Sequence, residues 1–212
     1  ELGRQAASRI SDRFSPDGMM ALRGLVKETQ ALDRRAIPVD DIPVEVSRIL
    51  RQIAGFAGLV HENMYRSDGW RFLSLGVSLE RAANMCAMLA ACTSADAPVG
   101  ALDLALEVGD SVGAHHARFL VWANTASVLE MLAQDGQNPR AVRYHVSRAK
   151  DHIAHLPRQQ AGHALTDVAR LVLRVETRLA TSLTPDITPA FLHELKQDIW
   201  EISDALNAHH LV

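Results

Sequence analysis

The 212 residues carry 22 Lys and Arg against 25 Asp and Glu, a formal net charge of −3, with 48% hydrophobic and 22% charged side chains. That length allows one large domain or two small ones around a real core, and so ordinary a balance excludes wholesale disorder. No basic excess supports a nucleic-acid or anionic-membrane surface, although ten His residues add charge below about pH 6.5.

Aromatics are only 5%, while Ala, Leu and Arg are plentiful. These side chains lose little freedom in a helix, so the mix favours helices. Residues Leu2 to Arg13 make the first segment. Ser15-Pro16-Asp17 then gives a cap, a proline suited to the first helical position and an acid for the first turn. The helix it opens runs to about Arg35, and the proline- and aspartate-bearing stretch Ile37 to Pro43 reads as a loop. From Pro43 to Met64, apolar residues recur at Val46, Ile49, Leu50, Ile53, Phe56, Ala57, Val60 and Met64, the period of one buried helical stripe. Ser67-Asp68-Gly69 breaks this helix and caps a long one from about Trp70 to Ala91.

Pro98 opens a helix to about Val108. Gly109 and Gly113 bracket a bend, and Ala114 to Ala123 continues helically. Thr125 caps a helix to Gln134, and Asp135-Gly136-Gln137 makes a turn. Asn138-Pro139 starts a helix ending near Leu156-Pro157. Two more follow, Ala161 to Ser182 and Pro189 to His209, separated by Thr184-Pro185-Asp186. No stretch alternates as a half-buried strand does. The fold class expected is all-α, a single domain over residues 1–212: an antiparallel bundle of about nine or ten helices around a central helix at 70–91.

That central helix is the informative one. At about 100° per residue, Phe72, Leu75, Gly76, Leu79, Ala82, Ala83 and Cys86 form one face. Trp70, Val77 and Met88 lie opposite, the mark of a helix enclosed by others. Glu80 and Arg81 fall in its middle, where charges cost several kcal/mol unless paired. The candidate partners are Glu62 and Asp110 for Arg81, and Arg118, Arg140, Arg143 and Arg148 for Glu80. Three readings stay open: buried ion pairs that hold helix register, a polar cleft with Arg71 and Ser78 that binds an anionic or zwitterionic ligand, or exposure at a partner interface. If the pair is buried, Arg81→Ala costs about 3–5 kcal/mol.

Other chemistry finds little support. His61-Glu62 lacks the second His of a zinc motif, since Tyr65 stands there. No Glu has a His three residues on, as di-iron bundles require. His145, His152 and His155 are spaced to share a face, but capping or solvated roles are commoner for such residues. No phosphate-binding glycine loop and no nucleophile elbow is present. No metal or cofactor is therefore expected. Cys86 and Cys92 form no CxxC pair and read as small core thiols of a reducing, cytoplasmic compartment. Phe119, Leu120 and Trp122 read as core. Asn138 to Arg140, at a helix start with Arg143 and Arg148 nearby, suits a docked carboxylate or phosphate. The longest strongly apolar run, Met85 to Cys92, is far short of the roughly 20 residues of a membrane span, and no secretory leader is visible.

The stretch Glu62-Asn63-Met64-Tyr65-Arg66, Gly69-Trp70-Arg71-Phe72-Leu73, Leu75-Gly76 and Leu79-Glu80-Arg81-Ala82 closely resembles the signature of the alpha-E family. Asp103-Leu104, Asp110-Ser111 and Arg118 resemble a second segment of it, and Asn138-Pro139-Arg140-Ala141-Val142 with Arg148 a third. Val77 and Ser78 stand where basic residues are usual, Ser147-Arg148 replaces a second Glu-Arg, and His115-His116 replaces a Tyr-Arg pair. The chain starts at Glu1 and resembles the C-terminal two thirds of the family, so it reads as a fragment of a longer polypeptide. The resemblance implies an association with circularly permuted ATP-grasp ligases and transglutaminase-like peptidases, a peptide amide-ligase setting. The expectation is a helical interaction or scaffold domain without its own catalysis. The alternatives are a ligand-binding or enzymatic domain that recognises a carboxylate-bearing peptide or amino acid, with Glu80, Arg81, Arg71, Arg118, Glu62, Arg140 and Arg148 as candidate site, and an oligomerisation module.

Overall fold

A computed structural model describes residues 2–157, 160–161 and 164–210. Among them are ten α-helices, joined by short 3₁₀ turns, one π-helical turn and a two-residue antiparallel ladder, Gln160–Ala161 with Ala164–Leu165. The fold is an all-α helical bundle, as the periodicities predict. The chain divides into two compact units, Glu1–Trp70 and Arg71–Val212.

The first unit holds α1 (Leu2–Arg9), α2 (Pro16–Asp33), α3 (Ile42–Asn63) and the start of α4 (Asp68–Cys92). Ser15 caps α2 as expected, its Oγ accepting from the Gly18 amide at 3.1 Å with Pro16 in the first turn. The stretch read as a loop makes a 3₁₀ turn at Val39–Asp41, and α3 begins one residue ahead of Pro43, where a first-turn proline loses no hydrogen bond. α2 packs on α3 as a hairpin, tied by Arg48 between Glu28 (2.9 Å) and Glu45 (2.8 Å). The stripe of α3 is not buried: Val46, Leu50 and Ile53 stay exposed, and Met64 just beyond the helix is the residue that goes inside. A two-helix hairpin has too little surface to enclose a stripe that wide.

The second unit continues α4 and adds α5 (Ala101–Val108), α6 (Val112–Phe119), α7 (Thr125–Leu129), a π-helical turn (Glu130–Gln134), α8 (Val142–Ala154), α9 (Asp167–Thr181) and α10 (Pro189–His210). α8 packs on α9 and α9 on α10. Leu75, Leu79, Cys86 and Leu89 of α4 share a core with Leu129, Leu132, Ile153, Leu179, Leu195 and Ile199. Cys86 is sealed there, and burial pushes its thiol up to about 12.

Three expectations need correction here. α4 is not enclosed: its buried residues, Leu75, Ser78, Leu79, Ala82, Ala83, Cys86, Leu89 and Ala90, lie on one face, while Gly76, Val77, Glu80, Arg81 and Asn84 are exposed. Leaving Glu80 and Arg81 in water avoids the desolvation cost that burial would impose, and a lone exposed valine is ordinary. Leu120 and Trp122 are also outside, 86% and 87% exposed, and Phe119 alone of that trio packs on the core. α8 starts at Val142, because Asn138 spends its Oδ1 on the Arg140 amide (3.0 Å) in a turn ahead of the helix. Similar side-chain caps shift two other starts. Asn124 and Ser127 form a capping box on α7, and Thr166 caps α9 five residues after Ala161.

Candidate anion-binding site

The exposed face of α4 and one face of α8 bring the informative residues together within the second unit. His145 and His152 are seven apart on α8 and so share a face. His145 is only 3% exposed, and its Nδ1 has no hydrogen-bond partner. Burial pushes its pKa down to about 4, and the charges of Arg81, Arg148 and Arg140, in that order, push the same way. The Pro139 carbonyl opposes them. His152 is lowered too, first by burial, then by Arg148 and Arg71, with Asp151 opposing. The charges of Arg81, Arg148 and Arg140 thus act on His145 and those of Arg148 and Arg71 on His152, although three helical turns separate Arg71 and Arg81 in sequence.

Little offsets this charge. Among the described residues no carboxylate lies within ion-pair distance of Arg71 or Arg81. Arg148 leans over the Tyr144 ring at 5.7 Å and donates to its hydroxyl at 3.4 Å, so it keeps a full charge. Arg140 has Asp110 at 3.8 Å, a loose pair in which the carboxylate is mostly in water. Guanidinium groups that outnumber their counter-charges create a positive potential, and their planar forks match carboxylate and phosphate oxygens.

The Arg140 end of the site is built by side-chain hydrogen bonds. Asn138 Nδ2 donates to Ser111 Oγ at 3.0 Å and to the Met131 carbonyl at 3.1 Å, and Ser111 Oγ donates to the Gly109 carbonyl at 2.7 Å. The Met131 carbonyl belongs to the π-helical turn, whose widened geometry leaves carbonyls in need of donors, and Arg143 serves that of Gln134 at 3.3 Å. Between the latched residues Gly109 and Ser111, Asp110 adopts φ 47°, a left-handed conformation rare for a residue with a Cβ. A Cβ on Gly109 would meet Leu132 Cδ2 at 2.6 Å and the Ala105 carbonyl at 3.1 Å, so a larger residue there forces the buried Leu132 side chain to shift.

Three of the seven residues expected at the site are not among those whose charges act on His145 or His152. Arg118 is spent on Glu130 and on Asp135 (2.8 Å). Glu80 is exposed and makes no ion pair with a described residue. Glu62 belongs to the first unit, exposed beside His61. Arg81 therefore takes neither Glu62 nor Asp110. The sequence reading missed His145 as the hub, although its spacing from His152 on the helix that carries Arg148 was the available signal. It also missed Asn138 as the latch, for which no pattern speaks.

A buried His115 Nε2 to Ser127 Oγ contact at 2.8 Å has the look of a nucleophile and its base. Ser127 is occupied by the capping box of α7, and no acid orients His115 Nδ1. The contact satisfies buried polar groups.

Residues 1–211 match the family model of Alpha-E, a predicted alpha-helical domain with a conserved ER motif. Glu80-Arg81 is the only Glu-Arg dipeptide in the sequence. The uncharacterized proteins Rv2567 of Mycobacterium tuberculosis and Mb2597 of Mycobacterium bovis are each 24% identical over 214 residues, covering 96% of this chain and 24% of theirs. The chain thus spans about a quarter of the length of the curated relatives it matches. No solved structure matches it.

Proposed function

This chain belongs to the Alpha-E family, and we propose that it serves as a helical recognition and scaffold domain in an ATP-grasp-linked peptide amide-ligase system. It holds a carboxylate-bearing peptide or amino acid for a ligase, and performs no bond chemistry itself. The observation that carries the reading is the set of arginines at 71, 81, 140 and 148, whose charges act on His145 and His152 against only Asp110, loosely paired with Arg140, and Asp151, beside His152. A free carboxylate is what such a surface lacks. The curated relatives hold a matching stretch within chains about four times as long, which suits a domain that works beside others. The ligase partner, and a transglutaminase-like peptidase beside it, follow from the family resemblance.

The test is calorimetric titration of the chain with N-acetyl-Ala-Ala, whose only charge is its carboxylate, alongside ATP-consumption assays. Binding is expected in low salt, and the Arg81→Ala, Arg140→Ala double variant should weaken it at least tenfold, since a charge-assisted hydrogen bond contributes about 1.5–3 kcal/mol. No binding, or equal binding by the variant, removes the site. ATP or peptide turnover by the chain alone removes the scaffold reading.

A further inference from the structure

His145 is an odd residue to find under the charges of three arginines, Arg81, Arg148 and Arg140. Its side chain is almost wholly buried, yet Nδ1 has no partner, and a buried polar atom left so costs about 1–3 kcal/mol. Core packing alone would be served better by an apolar residue of that size. An unpartnered ring nitrogen under the charges of three arginines, of which only Arg140 has a carboxylate, a loose one, has one natural complement, an oxygen of the anion those groups attract.

Resting on the carboxylate-binding reading, we infer that His145 contacts the bound carboxylate through Nδ1 and takes up a proton from solvent as the ligand binds. The step is balanced simply: a proton leaves a solvent or buffer acid and adds to the imidazole, and no other bond changes. Imidazolium carries a proton on both nitrogens, so Nδ1 becomes a donor and the ligand oxygen its acceptor. The charges that oppose this in the free protein are Arg81 from α4, Arg140 from the turn before α8 and Arg148 from α8 itself, while the Pro139 carbonyl favours it and Tyr144 packs edge-on against the ring at 5.4 Å. Further along α8, His152 is flanked by Arg148, Arg71, Asp151 and His155. A carboxylate among the three arginines cancels part of their field, and an opposite charge at that range raises a histidine pKa by about one to three units. From about 4 in the free protein, His145 then titrates near pH 6 in the complex. Anion capture becomes proton-coupled, tightening as pH falls through the pKa of the bound form.

The experiment titrates the full chain with N-acetyl-Ala-Ala at pH 7.5 and pH 5, in two buffers of different ionisation heat, while long-range ¹H–¹⁵N spectra follow the His145 ring with and without ligand. The ligand stays ionised throughout, since an α-carboxyl group titrates near 3.3–3.7. Wild type should bind about tenfold tighter at pH 5, with uptake of most of one proton, as the linkage requires for a shift of about two pKa units. His145→Gln, which keeps a hydrogen-bonding side chain, should bind with no pH dependence, and His152→Gln should keep it. Binding in wild type without proton uptake, or an unchanged ring titration on saturation, overturns the inference and leaves the arginine site standing. The same holds if His145→Gln retains the full pH dependence. Absence of binding at both pH values overturns the inference and the site together.

Discussion

Arg81 shows how position decides what a charge does. The sequence places it in the middle of a helix with apolar residues around it, and burial there would make it indispensable to folding. In the structure it stands in water on the outer face of α4, and its charge acts on His145 together with those of Arg148 and Arg140. Removing it takes away a like-charge neighbour and leaves no carboxylate stranded. Arg81→Ala should therefore change the unfolding free energy by no more than about 0.5 kcal/mol, the usual range for surface substitutions. Urea denaturation measures this directly, and a loss near the 3–5 kcal/mol of a broken buried pair would contradict the exposed placement. Arg71, Arg81, Arg140 and Arg148 could be named from the sequence, and in the structure the charge of each acts on His145 or His152. What hid the other three is side-chain reach. Arg118 has two nearby acids, at 130 and 135, and a long flexible side chain takes the nearest ones.

At the scale of elements, boundaries followed the local chemistry wherever a single side chain decides them. Ser15 ahead of Pro16 opens α2 where it was expected. Asn138-Pro139 has the same grammar, yet it forms a turn instead of a helix start. A proline φ near −65° suits both conformations, and the decision rests on a distant partner, the Ser111 hydroxyl that holds the Asn138 amide. The same amide feeds the π-helical turn, so one residue fixes the α5–α6 corner, the widened turn and the entry to α8. Asn138→Asp replaces that donor with an acceptor and faces the Met131 carbonyl with an oxygen. It should cost about 1–3 kcal/mol by chemical denaturation, the cost of buried groups left unpaired. It should also weaken carboxylate binding, because the turn that carries Arg140 loses its anchors on Ser111 and the Met131 carbonyl. A variant as stable as wild type would show that the latch is dispensable. The one-sidedness of α4 was illegible for a related reason: periodicity marks which residues are apolar, not how many neighbours a helix will have.

Over the whole molecule, the histidines set a pH response. His145 titrates at about 4 in the folded chain against an ordinary value of 6.5, and His115 and His152 are lowered too. The unfolded chain therefore binds protons that the native one refuses. Stability is fully present above pH 6.5 and is lost as pH falls from there toward 4. For His145 the loss by pH 4.5 amounts to about 2–3 kcal/mol. Urea melts at pH 7.5 and 4.5 should show it, and His145→Gln should reduce the drop by about that amount; an identical drop in both proteins would refute the assignment. The two compact units differ in another way. The helices that carry the arginines stand on a continuous core, whereas α3 keeps Val46, Leu50 and Ile53 in water and buries none of its own residues. Opening α3 uncovers little new apolar surface, so its amide protons trade with solvent through brief local excursions, while those of α9 and α10 wait for the rarer collapse of the core. The proposed anion site thus rests on the slow-breathing part of the chain.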